Sequence, residues 1–202
     1  QELKKKTSQV VVVAAHYGDA LQYSEISEMT NAFGVSSYPH ARLNRTAKWN
    51  ESESAVTSLY ANSSKEGVLI ESSIDGRTLT LKVKAKFSET YTDLKLGVFL
   101  LENDLLLDQA NYGDFGYGSD NPIVNFEHDD VLRVALTSPL GDNISSESTK
   151  VGSVFEKSFT YEIPNSYDKD KMDIVAFITD KDKMSLNARH SEIGKTQEFE
   201  EL

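Results

Sequence analysis

The stretch from Thr78 to Phe87, Thr-Leu-Thr-Leu-Lys-Val-Lys-Ala-Lys-Phe, alternates without a break: every odd position is apolar and every even one is Thr or Lys. Side chains on a strand point to opposite faces in turn, so this is a strand with one dry and one wet face. Burying Leu79, Leu81, Val83, Ala85 and Phe87 contributes roughly 10 kcal/mol gross, at about 1.5 to 3 kcal/mol per large side chain. A slip of one residue would turn Lys82, Lys84 and Lys86 inward, so the register is strongly specified. Just upstream, Val68 to Ile74 ends on Asp75-Gly76. That is the pattern of a tight hairpin whose turn wants positive φ at both centres.

The segments that follow read as further strands, over 94–102, 105–110, 131–137, 154–163, 174–180 and 186–190. With the hairpin that makes a run of short strands joined by polar or Gly/Pro-rich connections and no helices. Such a run predicts a β-sandwich, with an immunoglobulin-like or jelly-roll topology left open.

The first part of the chain reads differently. Residues 1–7, with Lys4-Lys5-Lys6, look like the end of a helix, the lysines sitting where the macrodipole favours cations. Val10 to Ala15 is continuously apolar and β-branched, which predicts a strand covered on both faces. Ile26, Met29, Ala32 and Phe33 then recur at helical spacing, with Ser24 placed to cap the helix and Gly34 to stop it. Val35-Ser-Ser-Tyr-Pro39 and an extended piece over 40–45 follow, and residues 51–61 suit a short helix. The expected class is α+β, with an α/β region over 1–61 and an all-β domain over 62–202.

The order strand, helix, Gly34-Val35, Tyr38-Pro39, strand resembles part of the thioredoxin fold. The resemblance implies that Pro39 follows a cis peptide bond and that residues 1–61 are a partial thioredoxin-like region. It also implies that the Cys-x-x-Cys pair of that fold would lie upstream of Gln1. A lone strand, helix and strand bury too little apolar surface to offset about 1 to 2 kcal/mol of backbone entropy per residue, so this region must lean on something else.

Composition narrows the function classes. A net charge of -11 and pI near 4.8 argue against a nucleic-acid partner, which needs clustered cations to displace counterions from phosphates. There is no cysteine, hence no disulfide, thiolate nucleophile or thiolate metal site. No apolar run reaches the roughly 18 residues that span a bilayer. Since the sequence starts at Gln1, it reads as a processed or engineered piece, attached to a membrane only through an anchor outside it.

No catalytic set, cofactor or metal site is expected. His16, His40, His128 and His190 are scattered, and no nucleophile elbow or phosphate loop is present. His128-Asp129-Asp130 contains a base and hard oxygen ligands, but adjacent residues on a strand diverge, so a turn in which His128 bonds the backbone is the better account. Asp168-Lys-Asp170 and Asp180-Lys-Asp182 look superficially like calcium loops. The Gly and Glu that such a loop requires are replaced by Asp173 and Thr179, which leaves solvated turns. One stretch exceeds a plain loop: Asn111-Tyr-Gly-Asp-Phe-Gly-Tyr-Gly-Ser-Asp-Asn-Pro122. Tyr112, Phe115 and Tyr117 on a glycine frame suit contact with a glycan or a protein partner. The competing account is that these rings cover one end of the core.

The motifs taken together, His16-Tyr-Gly-Asp19, Tyr38-Pro39, Val98-Phe-Leu-Leu-Glu-Asn-Asp104, His128-Asp-Asp-Val-Leu-Arg133, Pro139-Leu-Gly141 and Val175-Ala-Phe-Ile-Thr-Asp180, resemble the twenty-eight-kilodalton outer-membrane protein family of Bacteroidetes. The resemblance implies a secreted or surface lipoprotein of the cell envelope with a thioredoxin-like region followed by a β-sandwich. The function expected is a non-catalytic envelope binding or adhesion module, with Tyr112, Phe115 and Tyr117 as ligand-binding candidates. The alternative is a thiol-disulfide oxidoreductase, or its remnant, whose cysteines lie upstream. Without a thiolate this chain should leave insulin disulfides intact, and their reduction above the buffer rate in a turbidity assay would contradict that expectation.

Overall fold

The computed structural model describes residues 9–59, 64–113 and 117–202, together with Lys4 and Thr7. Most of the helix end expected over 1–7, and Phe115, lie outside the described residues. Among the described residues, the short helices α1 (Ile26–Phe33) and α2 (Glu53–Thr57) and the two-residue strands β1 (Arg42–Leu43) and β2 (Ala47–Lys48) precede the β body. That body comprises β3 (Glu66–Asp75), β4 (Thr78–Phe87), β5 (Lys95–Glu102), β6 (Leu105–Gln109), β7 (Ile123–His128), β8 (Val131–Ala135), β9 (Asp142–Asn143), β10 (Val154–Glu162), β11 (Met172–Thr179) and β12 (Ser185–Glu192).

The chain is mostly β, with two principal sheets, both antiparallel. One runs β10-β4-β3; the other runs β12-β11-β5-β8, with β9 added beside β5. Between them lies the larger core. Leu79, Leu81, Val83 and Ala85 of β4 are fully buried and meet Leu96, Val98 and Leu100 of β5 and Ile174, Ala176 and Ile178 of β11. The alternation in β4 is thus realised residue by residue. The loop after β3 differs from the expectation in one respect: Asp75 still pairs with Thr78, and the two loop residues are Gly76 and Arg77. Of these only Gly76 has positive φ, at 61°, the glycine-first pattern of a II′ turn. Arg77 then binds the carbonyls of Ile163, Pro164 and Tyr167 at 2.6 to 2.7 Å, tying the hairpin to the segment after β10.

The intervening side chains of β5 and β11 face the other way. Phe99, Leu101, Val175 and Phe177 form a second core with Leu132, Tyr23 and Ile26, against which Val11, Val13, Ala15 and Met29 pack. Two strands are therefore covered on both faces, which is why 96–101 and 174–178 read as continuous apolar runs. The same inference fails for Val10 to Ala15. That run is half-buried throughout and lies along the edge strand β8, where Ala14 N–H donates to the Asp130 carbonyl at 2.8 Å and Leu132 N–H to the Ala14 carbonyl at 2.9 Å. An apolar run shows that a segment is covered but not on how many sides, and here its Val11, Val13 and Ala15 cover the outside of the larger sheet.

Helix α1 starts at Ile26 with Glu25 rather than Ser24 at the cap, and it stops at Gly34 in the left-handed conformation, as the sequence predicts. The Tyr38–Pro39 bond is cis, and so is Asn121–Pro122. Past the helix, Arg45 joins this region to the sheet: its guanidinium lies 4.9 Å from the Phe33 ring and 4.7 Å from the Phe177 ring, and it donates to the Pro139 carbonyl at 3.1 Å. Burial draws its pKa down to about 10, so it stays charged at neutral pH and retains both cation–π contacts.

Gly97 opposes Phe177 across β5 and β11, and the Phe177 ring occupies the place of a Cβ: an added methyl carbon would sit 2.0 Å from Cζ. Gly97→Ala should therefore cost about 3 kcal/mol or lower the melting temperature by about 6 to 12 °C, measured by thermal denaturation. Arg45→Met, which keeps the length but removes the charge and the donors, should cost about 2 kcal/mol, readable in urea titration as a lower midpoint at unchanged slope.

Candidate functional site

β6 and β7 form a hairpin of their own that belongs to neither principal sheet. Leu105 pairs with His128, Leu106 with Glu127 and Leu107 with Phe126, and the register shifts before Gln109 meets Ile123. Sequence reasoning missed β7. Its alternation is interrupted at Asn125, which takes a φ of 53°, so Ile-Val-Asn-Phe-Glu-His shows no clean period of two. The hairpin carries Leu106 and Val124, which are 62% and 67% exposed.

The loop between these strands is organised by Asn111. Its amide Nδ2 donates to the carbonyls of Gly118 and Asp120 at 3.1 and 2.9 Å, while its Oδ1 accepts from Gly113 N–H at 2.9 Å. The Asn111 N–H in turn donates to Asn121 Oδ1 at 3.0 Å. On this frame Tyr112 is 75% exposed and Tyr117 is 54% exposed. Tyr112 thus covers no core. Tyr117 sets its edge against Phe126 with centroids 5.4 Å apart, Phe126 meets His128 at 4.8 Å, and His128 meets His16 at 5.1 Å. This row of rings runs from the loop to the N-terminal segment. Beside it a cavity of about 390 Å³ opens between Asp19–Leu21 and the hairpin.

His128 ends β7 and Asp129 and Asp130 form the turn into β8, with Asp130 at a φ of 57°, and the three side chains take separate partners. His128 Nε2 lies 3.3 Å from the Leu107 carbonyl, Asp129 accepts from Asp104 N–H at 3.0 Å, and Asp130 accepts from Lys4 Nζ at 2.6 Å. Burial, with help from the nearby His16, pushes the His128 pKa below its usual value, against the opposing pull of the Leu107 carbonyl and of Asp19 and Asp129. The imidazole is neutral at physiological pH. Asp104, Glu127 and Asp129 bring carboxylate oxygens within 4.8 Å of one another, and the Lys171 ammonium pairs with Asp104 there. The two acidic turns bond to their own backbone: Asp168 accepts from Asp170 N–H, and Asp180 from the N–H groups of Asp182 and Met184.

Pro39 lies in the connection between α1 and β1. Next to it Tyr38 stacks on Tyr17, with centroids 5.0 Å apart and planes within 7°. No helix among the described residues is long and apolar enough to cross a membrane.

A mostly β body of two face-to-face sheets, fronted by a small helical region, is also the fold of HBP35 of Porphyromonas gingivalis, to which the chain is similar at a TM-score of 0.68 and 13% identity. The match covers 90% of this chain and 62% of that one, so the chain spans less than two thirds of HBP35. A domain of the outer membrane lipoprotein Omp28 from Porphyromonas gingivalis matches at a TM-score of 0.43 and 19% identity, covering 66% of this chain and 91% of the domain. No curated protein matches. The family described as outer membrane protein Omp28 matches residues 26–197. The chain belongs to that family, and it is a protein of the cell envelope.

Proposed function

We propose that the chain is a non-catalytic binding or adhesion module of the outer membrane, and that it engages a glycan or a protein through the tip of the β6–β7 hairpin. The observation that carries this reading is a hairpin outside both sheets with, among its described residues, five large apolar side chains in solvent, Leu106, Leu107, Tyr112, Tyr117 and Val124. Neither core uses them, and exposed aromatics on a braced loop supply contact area at little cost in entropy. In this reading residues 62–202 form a β-sandwich that presents the hairpin and residues 1–61 are a partial thioredoxin-like region. Attachment to the membrane is through a lipoprotein anchor.

A second reading, a thiol-disulfide oxidoreductase whose cysteines lie upstream of Gln1, draws on the order of α1, Gly34 and the extended segment after Pro39. A Cys-x-x-Cys in the parent gene ahead of Gln1 would favour it.

The binding reading is tested by replacing Tyr112 and Tyr117 with Ala. Retention on intact envelopes and on a glycan array should drop at least tenfold, while the melting temperature moves by no more than about 2 °C, as for exposed side chains. Unchanged retention, or a drop explained by unfolding, would reject the hairpin as the contact surface.

A further inference from the structure

Two of the four histidines, far apart in the sequence, meet at the root of the β6–β7 hairpin with ring centroids 5.1 Å apart and planes at 72°. Each ring has one nitrogen already committed. His16 Nδ1 lies 2.7 Å from Asp19 Oδ2, and His128 Nε2 lies 3.3 Å from the Leu107 carbonyl oxygen. A carboxylate and a carbonyl accept hydrogen bonds and donate none, so each holds the ring proton on the nitrogen it faces. The lone pairs then fall on His16 Nε2 and His128 Nδ1, and among the described residues neither atom has another partner. An imidazole backed by a carboxylate or a backbone carbonyl is the arrangement that orients histidine toward a metal ion and raises its basicity. The spacing agrees: two imidazoles held by one tetrahedral ion at about 2.0 to 2.1 Å have ring centres roughly 5 Å apart.

We propose that His16 and His128 bind a divalent first-row transition-metal ion, with Zn²⁺ as the representative case. Imidazole nitrogen suits zinc, copper and nickel, whereas calcium and magnesium prefer oxygen. Two protein ligands leave the remaining coordination positions for water, and the cavity beside His128 gives water access to it. Asp19 acts as a positioning residue that fixes the His16 ring. Because His16 belongs to the N-terminal segment and His128 ends β7, the ion ties the hairpin root to that segment. The proposal does not depend on the binding reading above.

The test uses the full 202-residue chain, stripped with a chelator and titrated with Zn²⁺ in a non-coordinating buffer. Calorimetry should give saturable one-to-one binding, and imidazole NMR should show the resonances of His16 and His128 shifting while those of His40 and His190 stay in place. His16→Gln should weaken the binding at least tenfold, and Asp19→Asn should weaken it about 10- to 100-fold. Since His128 is buried and His16, bridged to Gln22, is largely covered, both Gln variants are read only if circular dichroism shows the native spectrum; Asp19→Asn, at a more exposed side chain, keeps the test decisive. No saturable binding below millimolar Zn²⁺, a loss under tenfold in His16→Gln, or shifts at His190 instead would each overturn the proposal.

Discussion

The structure depends on β5 and β11 being buried on both faces. Their even-numbered side chains close the core between the sheets, and their odd-numbered ones close a second core against the N-terminal region. Such a strand cannot shift toward one layer without opening the other, since interiors are packed too densely to absorb the change. Gly97 and Phe177 show how tightly this is set: the second layer fits because a glycine leaves room for the aromatic ring beside it.

That constraint explains how a short and irregular N-terminal region is held. It makes few backbone bonds to the larger sheet, at Ala14 with Asp130 and Leu132 and at Asn44, whose carbonyl accepts from Ser185 N–H, and otherwise attaches through apolar side chains, the Lys4–Asp130 ion pair and Arg45, placed between two rings. It behaves as an outer covering of the sheet. A strand, helix and strand of this size bury too little to fold alone, and the body of the same chain supplies the missing apolar contact.

With both faces of the central strands occupied, exposed apolar surface has to lie at the periphery. The β6–β7 hairpin is where much of it collects, and the surroundings there are acidic, with Asp104, Glu127 and Asp129 in one group. The net charge of -11 makes the surroundings of that hairpin unfavourable for anionic partners such as nucleic acid.

Much of this was determined by the sequence alone. Period-two alternation gave β4 and its register, apolar stretches over 94–102 and 174–180 marked β5 and β11 as strands, Gly34 gave the end of α1, and the glycine-aromatic stretch marked the loop. These are local signals, written in neighbouring residues, and backbone geometry reads them directly. What only the tertiary structure decided are the relations between distant positions. The Val10 to Ala15 run became a one-sided edge because of where β8 lies, and β7 stayed hidden because Asn125 breaks its period. His16 and His128, counted as scattered in the sequence, became neighbours because the hairpin folds its root against the N-terminal segment. Proximity of that kind is set by the packing of whole sheets, and no spacing along a single chain encodes it.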